Sequence, residues 1–169
     1  MKLTRRQTKG EGVEAVDPPM LTSEHWSLVS LLGVIFLVMA VLQLISFSDF
    51  KDVLERMGLA SGATWGVCLI IAEIWAAAGL FKWRLSPMFR MASASLAVLV
   101  SGFWFIENLQ AVANGTAKNL QNSGFFGRFL HQTPGWWTVI EVTILLFWVL
   151  YAIDLFRGVM VMPKRRTAK

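Results

Sequence analysis

Glu73 stands near the middle of a long apolar stretch, residues 62–81. A carboxyl group inside a membrane is costly, so such a residue faces polar partners and often marks a functional path. Two chemistries suit it. One is a carboxylate that takes part in proton transfer or binds a ligand. The other is a protonated Glu donating one structural hydrogen bond between helices. Four further polar residues, Gln43, Glu107, Asn108 and Glu141, fall toward the outer ends of three other apolar stretches. With Glu73 deeper, the five are expected to line a polar pocket that opens outward. For Glu107 and Glu141 the stronger reading is plainer: helix-end residues wetted at the interface. Gln43 is more evenly balanced, because it shares a helix face with the small residues Gly33 and Ala40. Asp154 and Arg157, three apart near the end of the last stretch, read as a local ion pair or as two snorkelling end residues.

Several chemistries are excluded by spacing. A di-metal site in a helical bundle wants Glu-x-x-His on two helices, but Gln110 follows Glu107 at that spacing and Ile144 follows Glu141. The only histidines, His25 and His131, lie outside the apolar stretches, which also argues against a haem held by two histidines. No phosphate-cradling loop, dinucleotide fingerprint, nucleophile elbow or zinc spacing occurs. No catalytic residue and no metal ligand is assigned. Cys68 is the single cysteine and sits among apolar residues, where it acts as a small hydrophobe.

The elements that must position these residues are membrane helices. Hydrophobic residues make up 55% of the 169, and the mean hydropathy is +0.53, both high for a soluble domain. A span needs about 20 mainly apolar residues. Four stretches qualify, at about 27–46, 62–81, 87–107 and 138–156. The expected fold class is all-α, an integral membrane four-helix bundle with both termini cytoplasmic. Residues 1–26 form a polar tail, 27–157 the transmembrane domain with a long outer loop at 108–137, and 158–169 a basic tail.

Orientation follows from Lys and Arg, which favour the cytoplasmic side. Lys2, Arg5, Arg6, Lys9, Lys82, Arg84, Arg90, Arg157, Lys164, Arg165, Arg166 and Lys169 fall on one side, and Lys51, Arg56, Lys118 and Arg128 on the other. Twelve against four puts both ends inside. This basic excess belongs to topology, and no nucleic-acid partner is implied. Trp26 and Trp83 are placed at the inner interface, and Trp65, Trp104, Trp136 and Trp137 at the outer one. The first apolar stretch begins too late and runs too long for a cleaved signal peptide. The expected location is a bacterial cytoplasmic (inner) membrane.

Residues 49–57 suit a short amphipathic helix with Phe50, Val53, Leu54 and Met57 on one face. In the third connection Phe125, Phe126, Phe129 and Leu130 suit a segment that lies on the membrane or caps the bundle. Small residues at helical spacing mark helix contacts: Gly33 with Ala40, Gly62 with Gly66, Ala72 with Ala76, and Ser93, Ala97 and Ser101.

Leu32-Gly33, the pattern Phe50-x-x-x-Leu54-x-x-x-Gly58-Leu59, Ala72-Glu73 with Ala76 and Gly79, and the basic turn Lys82-Trp83-Arg84 occur in order along about half the chain. In these features the sequence resembles the DoxX-like and MauE-like family of small four-helix membrane proteins. It departs from that pattern in lacking an Arg near the start of the first helix, in carrying Gln43 where a Lys is frequent, and in lacking the thiols of some relatives. The resemblance implies a four-helix fold, a function in redox-associated or quinone-linked membrane complexes, and Glu73 as the transferable residue. No intrinsic cofactor is implied, and quinone is the one cofactor it admits. Three functions are weighed. The first is a non-catalytic accessory subunit held by the bilayer and by other membrane protein subunits. The second is a small-molecule binder or proton-coupled carrier using Glu73, for which oligomerisation would supply the missing room. The third is a quinone-reducing enzyme subunit with its site beside Glu73 and Trp104.

Overall fold

The computed structural model describes residues 15–119, 122–127, 129 and 132–160. Most of the N-terminal tail, residues 161–169 of the basic tail, and Arg128, Leu130 and His131 of the third connection lie outside the described residues.

Five α-helices are described: α1 (Ser23–Ile45), α2 (Phe47–Arg56), α3 (Gly62–Leu80), α4 (Pro87–Ala113) and α5 (Trp136–Met160). A short 3-10 turn, Thr116–Asn119, follows α4. Among the described residues there is no strand, only an isolated bridge from Val16 to Leu85. Four helices, α1, α3, α4 and α5, are long and apolar enough to cross a membrane.

Local chemistry sets the boundaries. The Thr22 hydroxyl accepts from the His25 backbone N–H at 3.3 Å, so α1 starts at Ser23 and takes His25 into its first turn. The helix thus begins four residues before the apolar stretch that the sequence marks at about 27. Ser86 caps α4 by accepting from Phe89 N–H, and Pro87 occupies the first helical position, where its missing N–H costs nothing. At its far end α4 continues past Glu107 to Ala113, stopping at Asn114 and at Gly115, whose φ is +70°. The outer connection is therefore shorter than the sequence suggests.

The membrane helices pack in a ring: α1 on α3, α3 on α4, α4 on α5, with α5 closing back onto α1 more sparsely. Leu32, Phe36, Met39, Ala76, Ala97, Trp104, Val149 and Ala152 fill the centre. Leu44, Ile71, Leu99 and Phe147 are more than half exposed on the outside, an arrangement that suits hydrocarbon as the solvent.

Small residues let the backbones approach. Gly79 on α3 lies directly against Ser93 of α4, with no space for a β-carbon, and Gly33 on α1 meets Leu80 and the Ala77 carbonyl. Ala40, Ala76, Ser93, Ala97 and Ser101 are buried, and Ala72 is partly so. Gly62 and Gly66 make their helix contact with α2, at Lys51 and Glu55 and at Phe47 and Phe50. α2 lays Phe50 and Leu54, both fully buried, on the bundle.

Two tryptophans depart from the interfacial role. Trp26 is 5% exposed and packs on Phe156 with ring centres 6.0 Å apart. Trp104 is fully buried. Trp65, Trp83, Trp136 and Trp137 are exposed.

Candidate functional site: a closed polar cluster around Glu73

α1 ends at Ile45 and the chain turns at Ser46 into α2, whereas α3 begins at Gly62 and reaches Glu73 eleven residues later. At 1.5 Å per residue, Glu73 lies about 16 Å along α3. Gln43 is only two residues from the end of α1, yet the two side chains meet. The Gly62 end of α3 and the Ala113 end of α4 therefore extend well past the end of α1, and α2 occupies the space left over it. This offset converts a helix-end Gln and a mid-helix Glu into neighbours.

Gln43 Nε2 donates to Glu73 Oε1 at 3.2 Å, and Trp104 Nε1 on α4 donates to the same oxygen at 3.2 Å. Gln43 Nε2 also donates to the Phe125 carbonyl at 3.1 Å. One carboxyl oxygen thus joins α1, α3 and α4, and Gln43 ties the third connection to the same point. Asn108, one turn beyond Trp104, donates through Nδ2 to the Trp104 carbonyl at 2.9 Å. Gln43, Glu73, Trp104 and Asn108 are all at 0% exposure.

The cover over this cluster is built from aromatic rings and tight turns. Phe125 meets Trp104 edge-on, with centres 5.6 Å apart, and Phe50 of α2 lies 6.1 Å from the same ring. Asn122 holds the turn by donating to the Gly127 carbonyl and accepting from Gly124 N–H. Gly124 and Gly127 both have positive φ, 76° and 57°. Of the two roles open to the Phe125 segment, capping the bundle is the one it performs.

The five polar residues expected at one outward pocket do not share one. Gln43 and Glu73 are bonded, and Asn108 joins them through Trp104. Glu107 is half-buried and faces a separate cavity of about 280 Å³ with Arg56 and Gln110. Glu141 accepts from Gln132 Nε2 at 2.7 Å and lines a third cavity, of about 230 Å³, between α1 and α5. Asp154 and Arg157 are both exposed, and no salt bridge joins them. Among the described residues no group of three His, Cys, Asp or Glu side chains could hold a metal ion.

Three buried oxygens of the cluster have no hydrogen-bond partner among the described residues: Glu73 Oε2, Gln43 Oε1 and Asn108 Oδ1. All three are acceptors unless Glu73 carries a proton. The cluster therefore lacks donors, and a proton, a water or a ligand N–H or O–H is what its chemistry accepts. Phe50 and Phe125 both pack against the Trp104 indole beside this cluster.

No family model matches the chain, and neither a curated protein nor a solved structure does so.

Proposed function

We propose that this chain is a small non-catalytic subunit or accessory protein of a larger membrane complex, redox- or quinone-linked, with both termini in the cytoplasm of a bacterial cell. The observation that carries the reading is the closure of the Glu73 cluster, all of whose side chains are at 0% exposure. A polar centre sealed by α2 and the Phe125 turn holds helices together and gives no substrate a way in. The redox association rests on the resemblance to DoxX-like and MauE-like proteins. The orientation rests on the excess of Lys and Arg at one end. Purification from native membranes in mild detergent tests it. The expected result is a stoichiometric membrane partner that carries a redox group. A chain that migrates alone, with nothing retained, overturns it.

A second reading has its own support. The donor-poor oxygens of Glu73, Gln43 and Asn108 suit a proton-coupled carrier or small-molecule binder, with Phe125 as the element that moves aside. Cells carrying Glu73→Gln or Glu73→Ala that behave as wild type remove that reading.

A further inference from the structure

At the opposite end of the bundle from Phe125, residues of α4 and α5 line an open groove of about 660 Å³. Its walls are apolar, among them Ala94 and Val98 of α4 and Ile153 and Phe156 of α5. Arg90 and Arg157 stand at its mouth, and no acidic side chain is among its lining residues. Asp154, the nearest carboxylate on α5, is outside it. From Arg90 to the deepest α4 residue the groove runs about 13 Å along the helix axis.

Arg90 is held there by design of the fold. It is 7% exposed. Its Nη1 donates to the Gly79 carbonyl in the last turn of α3 at 2.8 Å and its Nη2 to the Trp83 carbonyl of the α3–α4 turn at 2.9 Å. The guanidinium carbon lies 5.4 Å from the Phe156 ring centre and 5.9 Å from that of Trp26. Carbonyl dipoles and ring faces orient this cation without neutralising it. Arg157 is exposed on α5 and makes no salt bridge among the described residues. Among the described residues neither cation has an acidic partner, and the apolar slot beside them is flanked by Met91 and Leu99, both exposed on the outside of the bundle.

We propose that this groove binds one anionic phospholipid, its phosphate at the Arg90–Arg157 mouth and one acyl chain along Ala94, Val98 and Ile153. Acyl chains gain little by leaving bulk lipid, so selectivity comes from the headgroup. Basic pockets between membrane helices recognise anionic headgroups in this way. The charge of the mouth argues for this occupant over a neutral quinone, and the exposed flank of Met91 and Leu99 argues for one that arrives from the bilayer. The site stands whether or not the chain belongs to a larger complex.

The test uses the full chain in mild detergent, with phosphatidylglycerol or phosphatidylcholine added, read by native mass spectrometry and by thermal unfolding. The wild type is expected to retain one phosphatidylglycerol and to unfold at a higher temperature with it than with phosphatidylcholine. Arg157→Ala is expected to lower phosphatidylglycerol occupancy about fivefold, the effect of one basic residue near a headgroup. Arg157→Lys is expected to keep most of it. Ala94→Trp, which fills the slot, is expected to abolish retention while the helical circular dichroism is unchanged. Equal protection by the two lipids overturns the proposal. So does undiminished retention in both Arg157→Ala and Ala94→Trp, a bound neutral quinone in place of the phospholipid, or a dimer that covers the groove.

Discussion

Trp104 on α4 and Glu73 on α3 share a hydrogen bond at 3.2 Å in the centre of the bundle, and the indole thereby turns its polar edge inward. Gln43 donates to the same oxygen. Replacing Glu73 by Gln keeps an acceptor for both donors and places an N–H where Oε2 now stands without a partner. Glu73→Gln is expected to unfold within about 1 kcal/mol of the wild type. Glu73→Ala strands two donors and opens a cavity, and is expected to lose about 2–4 kcal/mol. Denaturant titration in detergent, followed by tryptophan fluorescence, measures both. Equal stability of Glu73→Ala and wild type would show that the cluster holds nothing.

Trp104→Phe isolates one bond while keeping a ring against Phe50 and Phe125. Hydrogen bonds between membrane helices average about 0.6 kcal/mol, so a loss of that order is expected. Unfolding of Trp104→Phe alone and combined with Gln43→Met gives the coupling. The two losses are not expected to add, because both donors serve Glu73 Oε1.

The contact of Gly79 with Ser93 predicts a compensating pair. Gly79→Ala drives a methyl group into the Ser93 side chain and is expected to cost about 1–3 kcal/mol by overpacking. Ser93→Gly clears that space. The double variant is expected to recover most of the loss, as read from thermal unfolding. Independent, additive losses would mean that α3 and α4 part at this point without strain.

Arg84 in the α3–α4 turn and Arg90 in the first turn of α4 should behave differently. Arg84 pairs with Asp17 at 3.0 Å, but both side chains are largely exposed, and Arg84→Ala is expected to change stability by less than about 1 kcal/mol. Arg90→Ala leaves the Gly79 and Trp83 carbonyls without their donors and is expected to cost about 2–4 kcal/mol. Arg90→Lys cannot span both carbonyls and is expected to fall between. Parallel melting curves of the three variants decide it.

The four spans were readable because apolar length alone defines them, and Glu73 because a carboxyl among apolar residues needs a polar partner, whether its role is structural or functional. Gln43 was readable through the small residues on its face. Trp104 reads two ways, as an interfacial anchor and as a neighbour of Glu73 in the quinone reading, but its hydrogen bond was not legible, since its acceptor lies 31 residues away. The Phe125 carbonyl is backbone and carries no side-chain signature. Glu107 and Glu141 resemble Glu73 in type, and only the offset between α1 and its neighbours separates them. The end of α4 was misplaced because a charge at Glu107 suggests the edge of the hydrocarbon, while the helix answers to backbone hydrogen bonding. Residues 108–113 continue it until Asn114 and Gly115 stop it.

The hydrogen bond from Gln43 to the Phe125 carbonyl joins residues 82 positions apart. The Gln43 and Trp104 bonds to Glu73 span only 30 and 31. During synthesis, then, three helices can gather around the carboxyl before its cover exists. The centre stays open until residue 125 has left the ribosome and reached the same end of the bundle as Gln43. A chain halted before that point lacks the cap over Glu73, and α5, which closes the ring onto α1, is still to come.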